Sequence, residues 1–346
     1  MIQAPPERTA AAAPPTMDRR ALLAGAAAVT AGALGIAAYR RSQRPRAAVF
    51  LARGQRYDNG LERTIEDGLH AVGLNLAELQ QKRVLLKPNL VEPDRRCPQM
   101  TTHPAIIVAT AEVFRRYGAT VVVGEGPGHV RDTDMILDES GVGESLHMAR
   151  LEYVDLNYDE VGEVANRGRA SRLDKFFLPR TVMEADLVVS LPKLKTHHWV
   201  GMTAACKNLY GLLPGCKYGW PKNVLHHAGI PETVHDINAS VPRTITVVDA
   251  IDCMEGDGPI MGSLKRVGVV AIGLNPTAVD ATCARLMGLD PAKISYLQLA
   301  ADRLGPLAAD RIEQRGEAWA NLSTPFHILD RPHLQQLRMN SGVLTS

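Results

Sequence analysis

The sequence has little of what usually marks a redox protein or a nucleic-acid-binding protein. Its five cysteines are scattered and no two form a C-x-x-C pair, so we expect neither a cysteine-only zinc site nor an iron–sulfur cluster held by a local cysteine run. Their odd number and wide spacing predict no disulfide framework. Aromatic residues make up 5% of the chain and the formal net charge is +2, a balance that predicts no nucleic-acid partner.

Residues 1–46 are predicted to be a leader that lies outside the fold. Residues 1–16 are rich in Ala and Pro, which is typical of disorder. Arg19 and Arg20 then precede a weakly apolar run that resembles a twin-arginine export signal and is short for a transmembrane helix. Residues 35–37 offer a cleavage site, whereas the arginines that follow suit an uncleaved anchor.

The leader therefore predicts a partner and a location. We expect the chain to use the twin-arginine export machinery and to be periplasmic or held at the membrane by its N-terminal segment alone. The alternative is a disordered tail whose arginines have no role.

From residue 47 onward, patterns typical of strands and helices alternate. Strands are predicted at 47–52, 83–86, 120–124, 185–190, 244–248 and 267–272, and helices at 61–72, 104–117, 204–212, 231–240, 276–287 and 294–304. This alternation predicts an α/β fold with a mostly parallel sheet and flanking helices, with two lobes around a cleft as one form of it.

The boundaries of the domain follow from the same pattern. The α/β domain is predicted to span 47–309, and 310–346 to be a C-terminal extension with one weak strand at 326–329. The polar stretch 130–180 is either an insertion or a second small sheet.

The segment 191–215 is the most informative part of the chain. It follows a buried-strand pattern, and ligands in open parallel sheets lie beyond the carboxyl ends of strands. If 193–197 stay extended, Lys193, Lys195 and His197 share one face of the strand. The helix predicted near Ala204 would add its N-terminal amides, with Lys207 and Asn208 one turn in.

Cations in this arrangement favour a site for a small phosphate- or carboxylate-bearing ligand. The loop after the strand at 83–86 would add Lys87 and Asn89, and the glycine turn at 125–128 ends the next strand. The alternative is a solvated basic loop.

A second candidate feature is the acidic stretch 249–259, in which carboxylates are interleaved with glycine. Oxygen-rich, glycine-hinged loops hold hard divalent cations, so Asp249, Glu255 and Asp257 are candidate ligands of a divalent metal, although their spacing does not match an EF-hand. Otherwise the stretch is an exposed loop that pairs with the basic segment.

Histidines close to predicted loop ends supply candidates for proton transfer or metal ligation. They are His103, His197, His198, His226 and His227. Thr102 or His103, just before a predicted helix, would reach a ligand or cap the helix.

Several motifs occur in an order that resembles one known family. They are Lys87-Pro88-Asn89, Thr102-His103-Pro104, Gly124-Glu125-Gly126-Pro127-Gly128, the segment 191–197, Cys206-Lys207-Asn208-Leu209-Tyr210-Gly211, the segment 254–259 and Asn275-Pro276-Thr277-Ala278-Val279-Asp280. Together they resemble domain-of-unknown-function family 362 over about residues 47–304. Many members of that family carry an appended ferredoxin-like cysteine run, which this sequence lacks. A fainter likeness, through the Thr-His-Pro loop, is to the lactate racemase superfamily, which has a two-domain α/β fold and a nickel-pincer cofactor.

These observations together predict an exported enzyme that acts on a small anionic substrate. Lysines would neutralise the anion, a histidine would move protons, and the acidic stretch would hold a metal or orient the lysines. Hydrolysis, isomerisation and redox chemistry are all compatible with this set. The alternatives are a non-catalytic protein that binds an anionic ligand and a redox partner of the iron–sulfur kind that the family resemblance implies.

Overall fold

The computed structural model describes residues 45–92 and 94–339. The leader with its twin-arginine-type signal therefore lies outside the described residues. The strands, in chain order, are β1 Ala47–Ala52, β2 Arg83–Pro88, β3 Thr120–Glu125, β4 Glu152–Asp155, β5 Val161–Ala165, β6 Lys175–Pro179, β7 Leu187–Leu191, β8 Lys193–His197, β9 Gly201–Thr203, β10 Thr244–Glu255, β11 Ser263–Gly273 and β12 Ile312–Gly316.

Helices connect and cover these strands. They are α1 Leu61–Ala71, α2 Pro104–Arg116, α3 Thr133–Ser140, α4 Val142–Met148, α5 Arg180–Met183, α6 Ala205–Asn208, α7 Gly215–Tyr218, α8 Asn223–His227, α9 Ile230–Ser240, α10 Pro276–Leu286, α11 Ser295–Ala300, α12 Trp319–Leu322 and α13 Pro332–Gln335. Short 3-10 helices lie at Leu76–Leu79, Leu209–Leu212, Pro291–Lys293 and Ala309–Arg311. None of the helices in 45–92 and 94–339 is both long and apolar enough to cross a membrane.

The main sheet has the order β12-β1-β11-β10-β7-β2-β3-β4, with β8 and β9 attached through β10. The pairs from β10 through β7, β2 and β3 to β4 are parallel, and β11 is antiparallel to both of its neighbours. The α/β prediction with a mostly parallel sheet is therefore confirmed. The described residues belong to one compact unit, and the structure does not show the two lobes that the sequence allowed.

The central strands are buried on both faces, because helices cover each side of the sheet. On β2, Leu85 packs in one apolar cluster while Val84 and Leu86 pack in another. Such double burial explains why these strands read as continuous apolar runs in the sequence.

Three details of the sequence prediction are wrong. The acidic stretch is not a loop up to Glu255, because β10 runs twelve residues and pairs with β11 as far as Glu255 and Ser263. The strand predicted at 326–329 is only an isolated bridge between Ile328 and Gly256. The helix predicted at 204–212 is the four-residue α6 followed by a 3-10 turn.

The C-terminal extension contributes to the sheet. β12 lies parallel to β1 at the edge of the sheet, and Phe326, Ile328, Leu334 and Leu337 pack into the main apolar cluster. The polar stretch 130–180 holds two helices, β4 and the separate two-stranded sheet of β5 and β6.

Candidate functional site

The first part of the site is a buried ion pair at the carboxyl ends of β2 and β3. Lys87 is the last residue but one of β2, Glu125 ends β3, and the Lys87 Nζ contacts the Glu125 carboxylate. The same Nζ donates to the Asn208 Oδ1 at 2.9 Å and to the Pro88 carbonyl at 2.6 Å. Burial lowers the pKa of Lys87 and raises the pKa of Glu125, and their mutual contact opposes both shifts.

Gly211 packs directly against this ion pair. A Cβ placed there would lie 2.0 Å from the Glu125 Oε1 and 2.5 Å from the Lys87 Nζ. Any side chain at this position would displace the pair, so the glycine of the Asn208-Leu209-Tyr210-Gly211 turn is required by close approach.

A cavity of about 250 Å³ lies beside the ion pair. Its cationic lining consists of Lys195, Lys207 and Lys222, and Glu125 is the carboxylate among its lining residues. Trp199 and Tyr210 contribute aromatic surface. The cavity therefore combines an excess of cations with an apolar wall, as small-molecule sites commonly do.

Lys195 reaches the cavity from β8, which confirms that 193–197 stay extended. It is completely buried, and its Nζ donates to the Met100 carbonyl at 2.8 Å. Burial, followed by the nearby Lys193 and Lys207, holds the pKa of Lys195 well below its usual value.

Lys222 enters the same cavity from the residue before α8. Its Nζ donates to the carbonyls of Gly126 at 2.7 Å, Tyr210 at 3.2 Å and Leu213. Burial is the largest cause that lowers the pKa of Lys222, to about 7. The sequence analysis missed this lysine, because its partners are backbone carbonyls that no side-chain pattern reveals.

Lys207, on α6, is half-buried and differs from the fully buried lysines. Its Nζ lies 3.7 Å from the centroid of the Tyr210 ring. It makes no hydrogen bond or ion pair with another residue in 45–92 and 94–339. Burial, and then the neighbouring Lys87, lower the pKa of Lys207 to about 7.

Three of the predicted histidines, His197, His198 and His226, line this cavity. Burial, and next the charge of Lys207, lower the pKa of His197 well below its usual value and that of His226 to about 4. The His197 Nδ1 accepts from the Trp199 backbone N–H at 3.2 Å, and the His226 ring stacks on Tyr210 at 6.0 Å between centroids. The imidazoles of His197 and His226 are therefore neutral at pH 7.

His103 and His227 are not among the residues that line the cavity. His103 caps α2 by accepting from the Ala105 N–H at 3.1 Å, the capping alternative of the sequence analysis, and stacks on Tyr57 at 3.7 Å. His227 is exposed at the end of α8. Burial is the largest cause that lowers the pKa of His103.

A second buried cluster surrounds Asp249. Its Oδ2 accepts from the Lys193 Nζ at 2.6 Å and from the His103 backbone N–H at 2.9 Å, and its Oδ1 accepts from the Tyr57 hydroxyl at 2.8 Å. Burial, and then Asp249, raise the pKa of Tyr57. Lys193 thus has a carboxylate partner, unlike the cavity lysines.

The three predicted metal ligands are not brought together. Asp249 is enclosed by the contacts just described, Glu255 accepts from the Lys265 Nζ and the His327 N–H, and the exposed Asp257 lies 3.5 Å from the His198 Nδ1. Within the part of the chain that the structure describes, no group of three or more His, Cys, Asp or Glu side chains is placed to hold a metal ion. The reason is the length of β10, which separates Asp249 from Glu255 along an extended strand and leaves Asp257 beyond its end.

The helix amides near Ala204 do not point at the cavity lysines, contrary to the sequence prediction. The Cys206 N–H, at the start of α6, donates to the Asp280 Oδ2 at 3.2 Å. Asp280 is fully buried, and its Oδ2 also accepts from the Tyr296 hydroxyl at 3.0 Å. The amino end of α6 is therefore occupied by a carboxylate of the protein itself.

The polar residues Asn89, Thr102 and Asn208 have three different roles. Thr102 connects backbones, since its Oγ1 donates to the Leu191 carbonyl at 2.5 Å and accepts from the Asn89 N–H at 2.8 Å. Asn208 links Lys87 to the Ser190 Oγ, to which it donates at 3.0 Å. Asn89 lines the cavity, and its buried Oδ1 has no hydrogen-bond partner among the described residues.

The sequence analysis also missed the aromatic part of the site. Tyr210 lies inside the Cys206–Gly211 motif, and its place among the candidate site residues of that motif was the signal that the sequence offered. Trp199 directly follows the two histidines 197 and 198 and is half exposed at the cavity.

Comparisons with known proteins show what this chain is similar to. A thylakoid-associated protein of Synechocystis sp. (strain ATCC 27184 / PCC 6803 / Kazusa) is 30% identical over 273 residues, which cover 76% of this chain and 81% of that protein. The lactate racemase apoprotein of Thermoanaerobacterium thermosaccharolyticum aligns with a TM-score of 0.42 and 14% identity, over 70% of this chain and 58% of that one. The chain spans little more than half of that structure, and likeness at this level says nothing about chemistry.

The family assignment has firmer support. The description "Domain of unknown function (DUF362)" matches residues 84–285, which include both ends of the buried ion pair, the cavity lysines and Asp280. The family match covers more than half of this chain, and the similarity to the cyanobacterial relative extends over 76% of it. The chain therefore belongs to the DUF362 family.

Proposed function

We propose that the protein is an enzyme that acts on a small phosphate- or carboxylate-bearing substrate bound in the cavity of Lys195, Lys207 and Lys222. The observation that carries the proposal is the charge balance of the cavity. None of the three lysines has an ion pair with another described residue, and the cavity's carboxylate, Glu125, is in contact with Lys87. Cations in a buried cavity favour an anionic ligand, because burial of an uncompensated charge is costly.

Unpartnered buried oxygens also support a ligand in this cavity. The Asn89 Oδ1 and the Thr203 Oγ1 both line it, and neither has a hydrogen-bond partner among the described residues. Buried polar atoms are nearly always hydrogen-bonded, so a ligand with donor groups as well as an anionic group would satisfy them.

Binding is tested by calorimetric titration with inorganic phosphate, pyrophosphate and small mono- and dicarboxylates. We expect one of these anions to bind, and Lys195→Met or Lys222→Met to weaken its binding at least about tenfold, as loss of a charge-assisted hydrogen bond does. Lys217→Met is the matched control, because Lys217 is an exposed lysine near the cavity residues in sequence. Equal affinities in all three variants would contradict the proposal.

Catalysis is separated from simple binding through the histidines. Neutral imidazoles at His197 and His226 suit general base catalysis, so His197→Gln and His226→Gln are expected to retain anion binding and lose turnover. Turnover is followed by mass spectrometry of a defined mixture of phosphate- and carboxylate-bearing metabolites incubated with the protein. Binding without any consumed metabolite in the unsubstituted protein would favour a non-catalytic binding protein.

We also propose that the chain is exported by the twin-arginine route and is periplasmic or anchored by its N-terminal segment. The support is the Arg19-Arg20 pair followed by a short, weakly apolar run. In a host with the twin-arginine machinery, Arg19→Lys/Arg20→Lys should keep the protein in the cytoplasm, whereas Arg40→Lys/Arg41→Lys should not. Unchanged export of the first variant would contradict this route.

A further inference from the structure

We propose that Lys207 is a nucleophile that forms a Schiff base with a carbonyl compound bearing a carboxylate or phosphate group. This inference rests on the proposed function and narrows its substrate class from small anions to 2-oxo acids and keto or aldehyde phosphates. It assigns the cavity lysines two different roles, in which two bind the anionic end and one attacks the carbonyl carbon.

Five lysines lie in the two buried ion pairs or line the cavity, and their hydrogen-bond and ion-pair partners distinguish Lys207 from the other four. Lys87 contacts Glu125 and Lys193 contacts Asp249. Lys195 and Lys222 donate to backbone carbonyls. The Lys207 Nζ instead lies over the Tyr210 ring and makes no hydrogen bond or ion pair with any residue in the two described ranges.

The surroundings of Lys207 favour its neutral, nucleophilic form. Its side chain is half-buried, the charge of Lys87 acts on it, and no carboxylate within the described residues pairs with its ammonium. With a pKa of about 7, Lys207 is a neutral amine with a free lone pair in about half of the molecules at neutral pH. An ordinary lysine is neutral in almost none of them. A desolvated lysine next to another cation is a known route to an amine that attacks carbonyls.

Groups that can transfer the protons of the reaction line the same cavity, and one of them, His226, lies against the same Tyr210 ring. The His226 ring stacks on the Tyr210 ring. Lys207 is among the charges that lower the pKa of both His226 and His197. Lys195 and Lys222 line the same cavity, so a carboxylate or phosphate held there places the rest of a small ligand toward Lys207.

The chemical step balances without an oxidant, reductant or cofactor. The Lys207 lone pair forms a C–N bond to the carbonyl carbon while the C=O π bond breaks. A neutral imidazole of His226 or His197 takes one of the two N–H protons and passes it to the oxygen, which gives a neutral carbinolamine. The C–O bond then breaks as the nitrogen forms the C=N bond, the imidazole passes the second N–H proton to the departing hydroxyl, and water and the neutral imine result.

The test traps the imine by reduction. The full chain is incubated with pyruvate, glyoxylate or dihydroxyacetone phosphate, reduced with borohydride, and analysed by intact-mass and peptide-mapping mass spectrometry. We expect a single adduct at Lys207 with at least one of these probes. Lys207→Arg keeps the charge and should lower trapping at least about tenfold, whereas Lys217→Arg, at an exposed lysine, should leave it unchanged.

Inorganic phosphate separates this inference from the proposed function, because phosphate has no carbonyl. If phosphate or a small carboxylate binds but no probe is trapped at Lys207, the Schiff-base inference is overturned and the anion site stands. Adducts spread over exposed lysines, or equal trapping in Lys207→Arg, would overturn the inference as well. If no anion binds, the proposed function itself fails.

Discussion

At the scale of single residues, the buried lysines are the feature that distinguishes this protein. Long cationic side chains are almost never fully buried without a partner, yet Lys87, Lys193 and Lys195 show no exposed surface. Two of them have carboxylate partners and the third has a backbone carbonyl. The fold therefore depends on these pairings as much as the site does.

The Lys87–Glu125 pair gives the first prediction. Lys87→Met leaves the Glu125 carboxylate buried without its cation, and we expect the free energy of unfolding to fall by about 3–5 kcal/mol. The double variant Lys87→Met/Glu125→Leu should recover most of that loss, because an apolar pair of similar size removes the unpaired charge. Both are measured by urea unfolding at pH 7. A double variant no more stable than the single one would show that the pair is not the cause.

The lowered pKa values of Lys207 and Lys222 predict how anion binding depends on pH. Both groups have a pKa of about 7, so both are charged below pH 7 and lose their charge as the pH rises through it. Affinity for phosphate is therefore expected to be high at pH 6 and to fall at least about tenfold by pH 9. A bound anion favours the charged lysines and moves the midpoint of the fall upward. The measurement is the dissociation constant by calorimetry from pH 6 to pH 9.

Lys207→Arg provides the control for this pH dependence, since arginine stays charged throughout the range. Its affinity profile should be flatter than that of the unsubstituted protein. A steep profile that survives in Lys207→Arg would assign the titration to Lys222 or to the ligand instead.

At the scale of secondary-structure elements, the sequence predicts most of the strands of the sheet but not how far β10 extends. The strand around Leu85 and the strand around Val188 were predictable because burial on both faces leaves an unbroken apolar run. The far half of β10 was not predictable, because alternating carboxylates resemble a loop. Their partners, Lys265 for Glu255 and Arg266 for Asp252, become neighbours only when β10 and β11 pair.

The candidate site shows the same division. Lys195 and Lys207 were predictable because they lie close together in one segment between apolar flanks. Lys222 was not, because its role depends on the carbonyls of Gly126, Tyr210 and Leu213, which only the folded chain brings together. The amides of α6 were misassigned because their carboxylate partner, Asp280, lies more than seventy residues away.

Asp280 gives a prediction about α6. Burial raises the pKa of Asp280 to about 7, against an ordinary value of 3.8. A carboxyl whose pKa is raised on folding contributes full stability below about pH 4, and that contribution is lost as the pH rises to about 7. Asparagine keeps the oxygen that accepts from the Cys206 N–H but does not ionise. Asp280→Asn should therefore match the unsubstituted protein near pH 4 and exceed it at pH 8, by on the order of 3 kcal/mol.

The measurement is the free energy of unfolding of both proteins at pH 4, 6 and 8. Because other groups titrate identically in the two, only their difference is used. A difference that is constant across this range would mean that Asp280 is ionised in the folded protein at pH 4 as well, and would contradict the raised pKa.

At the scale of the whole molecule, the order of strands along the sheet differs from their order in the sequence. β1 lies between β11 and β12, so the first and last strands of the described chain are neighbours. The region after residue 309 was predicted to be an extension. β12 was not recognised because it is short and polar, and its buried and exposed residues alternate only weakly. Its place in the sheet is set by β1, more than two hundred residues earlier, and not by local preference.

This arrangement predicts that the C-terminal region is needed for folding. A truncation after Asp310 removes β12 and the buried side chains of Phe326, Ile328, Leu334 and Leu337. Burial of four such side chains stabilises a fold by about 6–12 kcal/mol, which is comparable to the total stability of a typical domain, about 5–15 kcal/mol. We therefore expect the truncated protein to lose cooperative thermal unfolding, as followed by circular dichroism, whereas truncation after Met339 should preserve it. A cooperative transition in the shorter protein, at the midpoint of the longer one, would contradict this prediction. It would show that 47–309 fold alone and that the residues after them add little to the free energy of unfolding.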